Sequence, residues 1–117
     1  MSDTKELFSD SHFGPLFRAA RDVLAERDRQ KSVEGWTEAH DDEHTDGSLA
    51  VAAARYALMH TDAFVADPEE RAAEWIKPCD ARRALEKAGA LILAELERRD
   101  RATPPSVVPD AETGEQG

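Results

Sequence analysis

Residues 79–101, CDARRALEKAGALILAELERRDR, carry the strongest structural signal in the chain. Ala84, Leu85, Ala88, Leu91, Ile92 and Leu96 recur at steps of three and four, the spacing that aligns side chains on one face of an α-helix. Cys79 or Asp80 opens this helix, and Arg98, Arg99 and Arg101 suit the negative end of its dipole. Upstream, Asp67-Pro68-Glu69-Glu70 combines a capping Asp, a Pro at the first helical position and acids in the first turn. It predicts a short helix through Trp75, stopped by Lys77-Pro78. The Ala-rich run Gly47 to His60 predicts another helix, capped by Thr45 or Asp46, with Leu49, Ala53, Tyr56, Ala57 and His60 on one face. Its small side chains suit close packing on a neighbour. From His12 to about Ser32, Phe13, Leu16, Phe17, Ala20 and Leu24 form an apolar stripe. Arg18, Arg21, Asp22, Arg27 and Asp28 read as its solvated side. Gly35, in Glu34-Gly35-Trp36-Thr37, ends that helix, and residues 37–48 read as a polar loop. No stretch alternates with the period of a strand. The expected fold is all-α, a bundle of three main helices and one short one over residues 12–101, between a flexible N-terminus (1–11) and a disordered C-terminal tail (102–117).

With 117 residues the chain makes one small domain. Fifteen Lys and Arg against 25 Asp and Glu give a formal charge of −10, which argues against holding phosphate backbones by bulk charge. The acidity is local: residues 37–70 hold one Arg against nine acids, a net −8, while residues 12–36 and 71–101 are mildly basic. No apolar run reaches the ~18 residues of a membrane span. The opening MSDTKELFSD lacks the apolar core of a secretory signal. Cys79 stands alone, so neither a disulfide framework nor a thiolate-rich zinc site is expected. The expected compartment is a reducing cytosol.

Three constellations bear on chemistry. The run His40-Asp41-Asp42-Glu43-His44 offers imidazole and carboxylate ligands, and His40, Asp41, Asp42 and His44 are the candidates for holding Mg²⁺, Mn²⁺ or Zn²⁺. The same acids serve equally well to cap the following helix and to pair with Arg27 or Arg29. Trp36 and Trp75 flank loops, where an indole stacks on a planar ligand or plugs the core between helices. Arg27, Arg29 and Lys31, with Arg82, Arg83 and Lys87, supply phosphate-binding side chains or i,i+4 ion pairs. Trp36, His40, Trp75, Arg27 and Arg82 are the candidate ligand-binding residues. No catalytic residue is assigned.

Glu26-Arg27-Asp28-Arg29-Gln30, Glu34-Gly35-Trp36-Thr37, His40-Asp41-Asp42, His44 and Gly47 resemble a family of small tailed-phage and prophage proteins. Trp75, Lys77-Pro78, Arg82-Arg83 and Lys87-Ala88-Gly89-Ala90-Leu91-Ile92 resemble its second half, so the likeness spans residues 22–101. It implies a phage accessory gene product acting in the host cytoplasm. Gly35-Trp36-Thr37 with Asp41-Asp42 and His44 is also similar, more distantly, to the core of ryanodine-receptor-type repeat domains, which implies a nucleotide-ligand module. Here the Asp pair lies closer to the Trp, and the Tyr-Gly that follows in those domains is missing. The all-α MazG-type nucleotide pyrophosphohydrolases offer a third comparison. They set E-x-x-E on one helix against E-x-x-D on a later one around Mg²⁺. This chain has Glu38-x-x-Asp41 and Glu43-x-x-Asp46, both ahead of the second main helix, with Glu69, Glu70 and Glu74 as further carboxylates.

The leading expectation is a phage-derived, non-enzymatic binding protein that engages a nucleotide-like small ligand or blocks a host defence component. The alternatives are a Mg²⁺- or Mn²⁺-dependent nucleotide pyrophosphohydrolase and an acidic inhibitor that imitates nucleic acid. Ala-rich helix faces also suit a homo-oligomer.

Overall fold

The computed structural model describes residues 10–63 and 65–103. Among the described residues four α-helices follow in order, α1 (Asp10–Ser32), α2 (Glu38–Asp42), α3 (Ser48–Ala57) and α4 (Ala81–Ala102), with a 3₁₀ turn at Ala73–Trp75 before the last. Among the described residues there is no strand, and no helix is long and apolar enough to cross a membrane. The all-α bundle of three main helices is therefore observed. Helix α1 starts two residues earlier than its apolar pattern, and α4 reaches Ala102. The rest of the expected N-terminal lead-in and C-terminal tail falls outside the described residues.

Helix α4 is the common partner, with α3, α1 and α2 all packing on it. Asp80 caps it by accepting from the Arg83 N–H at 2.8 Å, as its position predicts. The α3–α4 interface is the core: Leu49, Ala52, Ala53 and Tyr56 meet Ala84, Ala88, Leu91 and Ala94, with Ala72 inserted from the intervening loop. Seven of the ten buried apolar residues described are alanine. Small side chains bring the two helices close, but each buries little area. Helix α3 ends at Ala57, short of His60, whose imidazole Nε2 lies 2.6 Å from the Cys79 carbonyl outside the helix. Gly47, at φ +90°, is the residue preceding α3, and Asp46 supplies the cap by accepting from the Ser48 N–H at 3.0 Å. Thr45 has no such role.

Three expectations are corrected. First, the apolar stripe of α1 does not face the core. Leu16 and Leu24 are each 60% exposed, Phe17 is 42% exposed and Ala20 is exposed, while the Phe13 side chain lies outside the description. The buried side is Glu26, Arg27 and Gln30, so Arg27 belongs to the interior and not to a solvated face. The crossing of α1 over α4 sets this face: Val23 meets Gly89, where a Cβ would stand 3.1 Å from a Val23 methyl, and Glu26, Arg27 and Gln30 lie beyond this point on the buried side. Second, residues 37–48 are not all loop. Thr37 accepts from the His40 N–H at 3.3 Å and caps the one-turn helix α2. Third, Asp67-Pro68-Glu69-Glu70 starts no α-helix. Asp67 closes a turn, accepting from the Glu70 N–H through its carbonyl and from the Arg71 N–H through its carboxylate, each at 2.9 Å. Glu70 is left-handed at φ +49°, which breaks the helical ladder and leaves only the 3₁₀ turn downstream.

Candidate functional site

Gly35, left-handed at φ +80°, turns the chain out of α1, and the Trp36 N–H donates back to the Gln30 carbonyl at 3.0 Å. Trp36 thus stands at the foot of α2, which carries His40; one turn on, the His44 N–H donates to the Asp41 carbonyl at 3.0 Å. The fourth ring arrives from far along the chain. Tyr56, almost fully buried on α3, donates its hydroxyl hydrogen to the Trp75 carbonyl and accepts from the Lys77 N–H, both at 2.9 Å. These two bonds pin the 75–77 segment and lay Trp75 against the histidines.

Four aromatic rings result. Trp36 lies parallel to His40 at 6.2 Å between centroids, Trp36 to Trp75 is 5.7 Å, and His40 to Trp75 is 5.6 Å. His44 approaches His40 at 4.5 Å and meets the Trp75 ring edge-on at 4.8 Å. All four residues are half-buried, so the cluster is walled on one side and open on the other.

Beneath it lies a buried charge relay. Arg27 donates to Asp41 Oδ2 at 3.0 Å, to the Trp36 carbonyl at 3.3 Å and to Glu97 at 2.9 Å. Asp41 is completely buried, and its other oxygen lies 3.0 Å from His40 Nδ1. A carboxylate accepts only, so the neutral His40 ring carries its proton on Nδ1 and offers Nε2 as an acceptor. Beside this relay, burial pushes the Glu34 carboxyl up, but hydrogen bonds from Lys77 and Arg29 outweigh it and hold the group below its ordinary value.

Of the candidate ligand-binding residues, Trp36, His40 and Trp75 come together, and His44 joins them. Arg27 reaches the cluster from below, with its guanidinium engaged by Asp41, Glu97 and a carbonyl. Arg82 is elsewhere, at the start of α4, donating to Asp22 at 2.8 Å and paired with Glu86 at 3.1 Å. The other basic candidates are committed too: Arg29 to Glu26 and Glu34, Lys31 to Glu38, Arg83 to Glu26 and Glu86, and Lys87 over the Tyr56 ring.

The four candidate metal ligands do not converge. Asp41 points inward to Arg27, and Asp42 points outward to Arg101 at 2.8 Å. Among the described residues, no group of three or more His, Cys, Asp or Glu is arranged to hold a metal ion. The acids 41 and 46 instead do the pairing and capping that short acidic loops allow. Sequence pattern singled out three of the four rings directly and His44 as a metal ligand. It gave no sign of Tyr56 as the organiser of Trp75, nor of Glu97 as the outer partner of Arg27. Compared with known proteins, the chain matches no protein-family model, no curated protein and no solved structure.

Proposed function

We propose that the protein is a non-enzymatic binding module that stacks a planar, nucleotide-like ligand on the Trp36–His40–His44–Trp75 cluster. The observation that carries this is the assembly of four half-exposed rings from two distant segments over a fully buried ion pair. Ring faces bind bases and other flat heterocycles, each stack contributing roughly 1–3 kcal/mol. The His40 Nε2, held in orientation by Asp41, adds a directional acceptor for a ligand N–H or O–H. Likeness to small tailed-phage proteins supports a role as a phage accessory protein in the host cytoplasm. The pyrophosphohydrolase alternative needs several free carboxylates around Mg²⁺, and here Asp41 and Asp42 are each engaged by an arginine.

Trp36 and Trp75 are the only tryptophans, so intrinsic fluorescence reads this cluster and nothing else. Titration with nucleosides, mononucleotides and cyclic nucleotides is expected to quench it saturably. Trp36→Ala should weaken binding at least ~10-fold, about 1.4 kcal/mol. A full panel without saturable quenching or calorimetric heat would rule the proposal out.

A second reading, blockade of a basic host protein, is favoured by the concentration of charge in residues 37–70, a net −8. Complex formation with such a protein would then weaken steeply with salt.

A further inference from the structure

Between positions 37 and 70 the chain sets nine acids against a single Lys or Arg, which is Arg55. Arg55 stands in the last turn of α3 and is half-buried. Among the described residues it forms no ion pair, and its Nε, shielded from solvent, has no hydrogen-bond partner. The other arginines withdrawn from water behave differently: Arg27, Arg29, Arg71, Arg83 and Arg98 each hold a carboxylate. A helix C-terminus attracts a cation through its dipole, which accounts for an arginine at this position. The dipole does not account for a shielded donor without an acceptor, since an unmade bond costs the desolvation of the group.

Arg55 lines an open pocket of about 260 Å³ beyond the end of α3. Leu58, Met59, Val65 and Ile76 give it apolar walls, and Thr61 and Ala63 complete it. The Thr61 hydroxyl donates to the Leu58 carbonyl at 2.8 Å and accepts from the Ala63 N–H at 3.1 Å. Among the described lining residues Arg55 is thus the one charged group. The two bonds from Tyr56 that hold the 75–77 segment also fix Ile76, so this wall stands before anything binds. None of the four stacked rings lines the pocket, which makes it a site separate from their cluster. One guanidinium over apolar walls fits one negative charge on a small apolar body. A carboxylate meets a guanidinium with two parallel bonds, whereas a phosphate dianion calls for a second cation, and no other described lining residue supplies one. We infer that this pocket binds a small apolar monocarboxylate, with its carboxylate on Arg55 and its hydrocarbon part against Leu58, Met59, Val65 and Ile76. A free acid and the last residue of an apolar peptide carry the same chemistry.

Isothermal titration of the full chain with hexanoate and with N-acetyl-leucine tests this, with hexanamide and inorganic phosphate as comparisons. Saturable binding of at least one carboxylate is expected, at least ~10-fold tighter than hexanamide or phosphate. The tighter of the two identifies the source, hexanoate a free acid and N-acetyl-leucine a peptide terminus. Arg55→Gln should weaken that binding at least ~10-fold with unchanged far-UV circular dichroism. Val65→Trp, which fills the pocket and leaves the guanidinium in place, should abolish it. Absence of saturable binding by both carboxylates overturns the inference. So does hexanamide or phosphate binding as tightly as the better carboxylate, and so does full affinity retained in both variants.

Discussion

Asp41 is sealed from water, yet both of its oxygens are occupied, one by Arg27 and one by the His40 ring. Removing one partner of a buried ion pair leaves the other charge desolvated and alone, which costs roughly 3–5 kcal/mol. Asp41→Ala is therefore expected to lose about 3 kcal/mol in urea unfolding and to shift the tryptophan emission, because His40 is released from its anchor. A loss under ~1 kcal/mol would show that Arg27 finds equivalent partners. Glu26, on α1, is a second buried acid. Burial pushes its carboxyl up, but hydrogen bonds from Arg29 and Arg83 prevail and hold it below the ordinary 4.5. Glu95 is held low as well, first by Arg98 against the opposing effect of burial, then by Arg99. A carboxyl whose value falls on folding contributes stability that is complete above its unfolded value and disappears as pH drops through the folded one. Stability should thus be level above about pH 5 and decline below about 4.5. Glu26→Gln should lower the plateau and flatten the decline; an equal slope in both proteins would remove Glu26 from the account.

At the scale of the element, helices were legible wherever burial is apolar. The steps of three and four in α3 and α4 named Leu49, Ala53, Tyr56, Ala84, Ala88 and Leu91, all of which are buried, but also Leu85, Ile92, Leu96 and His60, which are exposed. Helix α1 was legible as a helix and illegible as to its face. Its interior residues are Glu26, Arg27 and Gln30, which composition assigns to water, and partners from α4, α2 and α1 itself make their burial tolerable. The turn at Asp67 carries the same residues that start a helix; what sets it apart is the left-handed Glu70, a conformation that residue type does not announce. For the site, Trp36, His40 and His44 are neighbours in sequence and so could be read together. Trp75 depends on a hydroxyl of α3, and no spacing rule connects the two. Caps behave more simply. Asp80 accepts one of the free N–H groups of α4, so Asp80→Ala should lower stability by about 1 kcal/mol, with Asp80→Ser restoring most of it. If thermal unfolding of the alanine variant matched the parent, the cap would be energetically idle.

For the whole molecule, one consequence follows from the alanines that dominate the interior. Heat capacity rises on unfolding in proportion to the apolar surface released, ordinarily ~12–15 cal/mol/K per residue. A methyl group per buried position releases far less than a leucine or phenylalanine side chain. The protein should therefore show a calorimetric increment below ~12 cal/mol/K per folded residue. Its stability curve would be correspondingly shallow, with free energy changing little between refrigerator and body temperature; an increment at or above the ordinary range would contradict this. A protein so built gains little from hydration entropy and relies instead on closely fitted contacts and paired charges, so dissolved salt, more than moderate warming or cooling, is the variable to which its folded state answers.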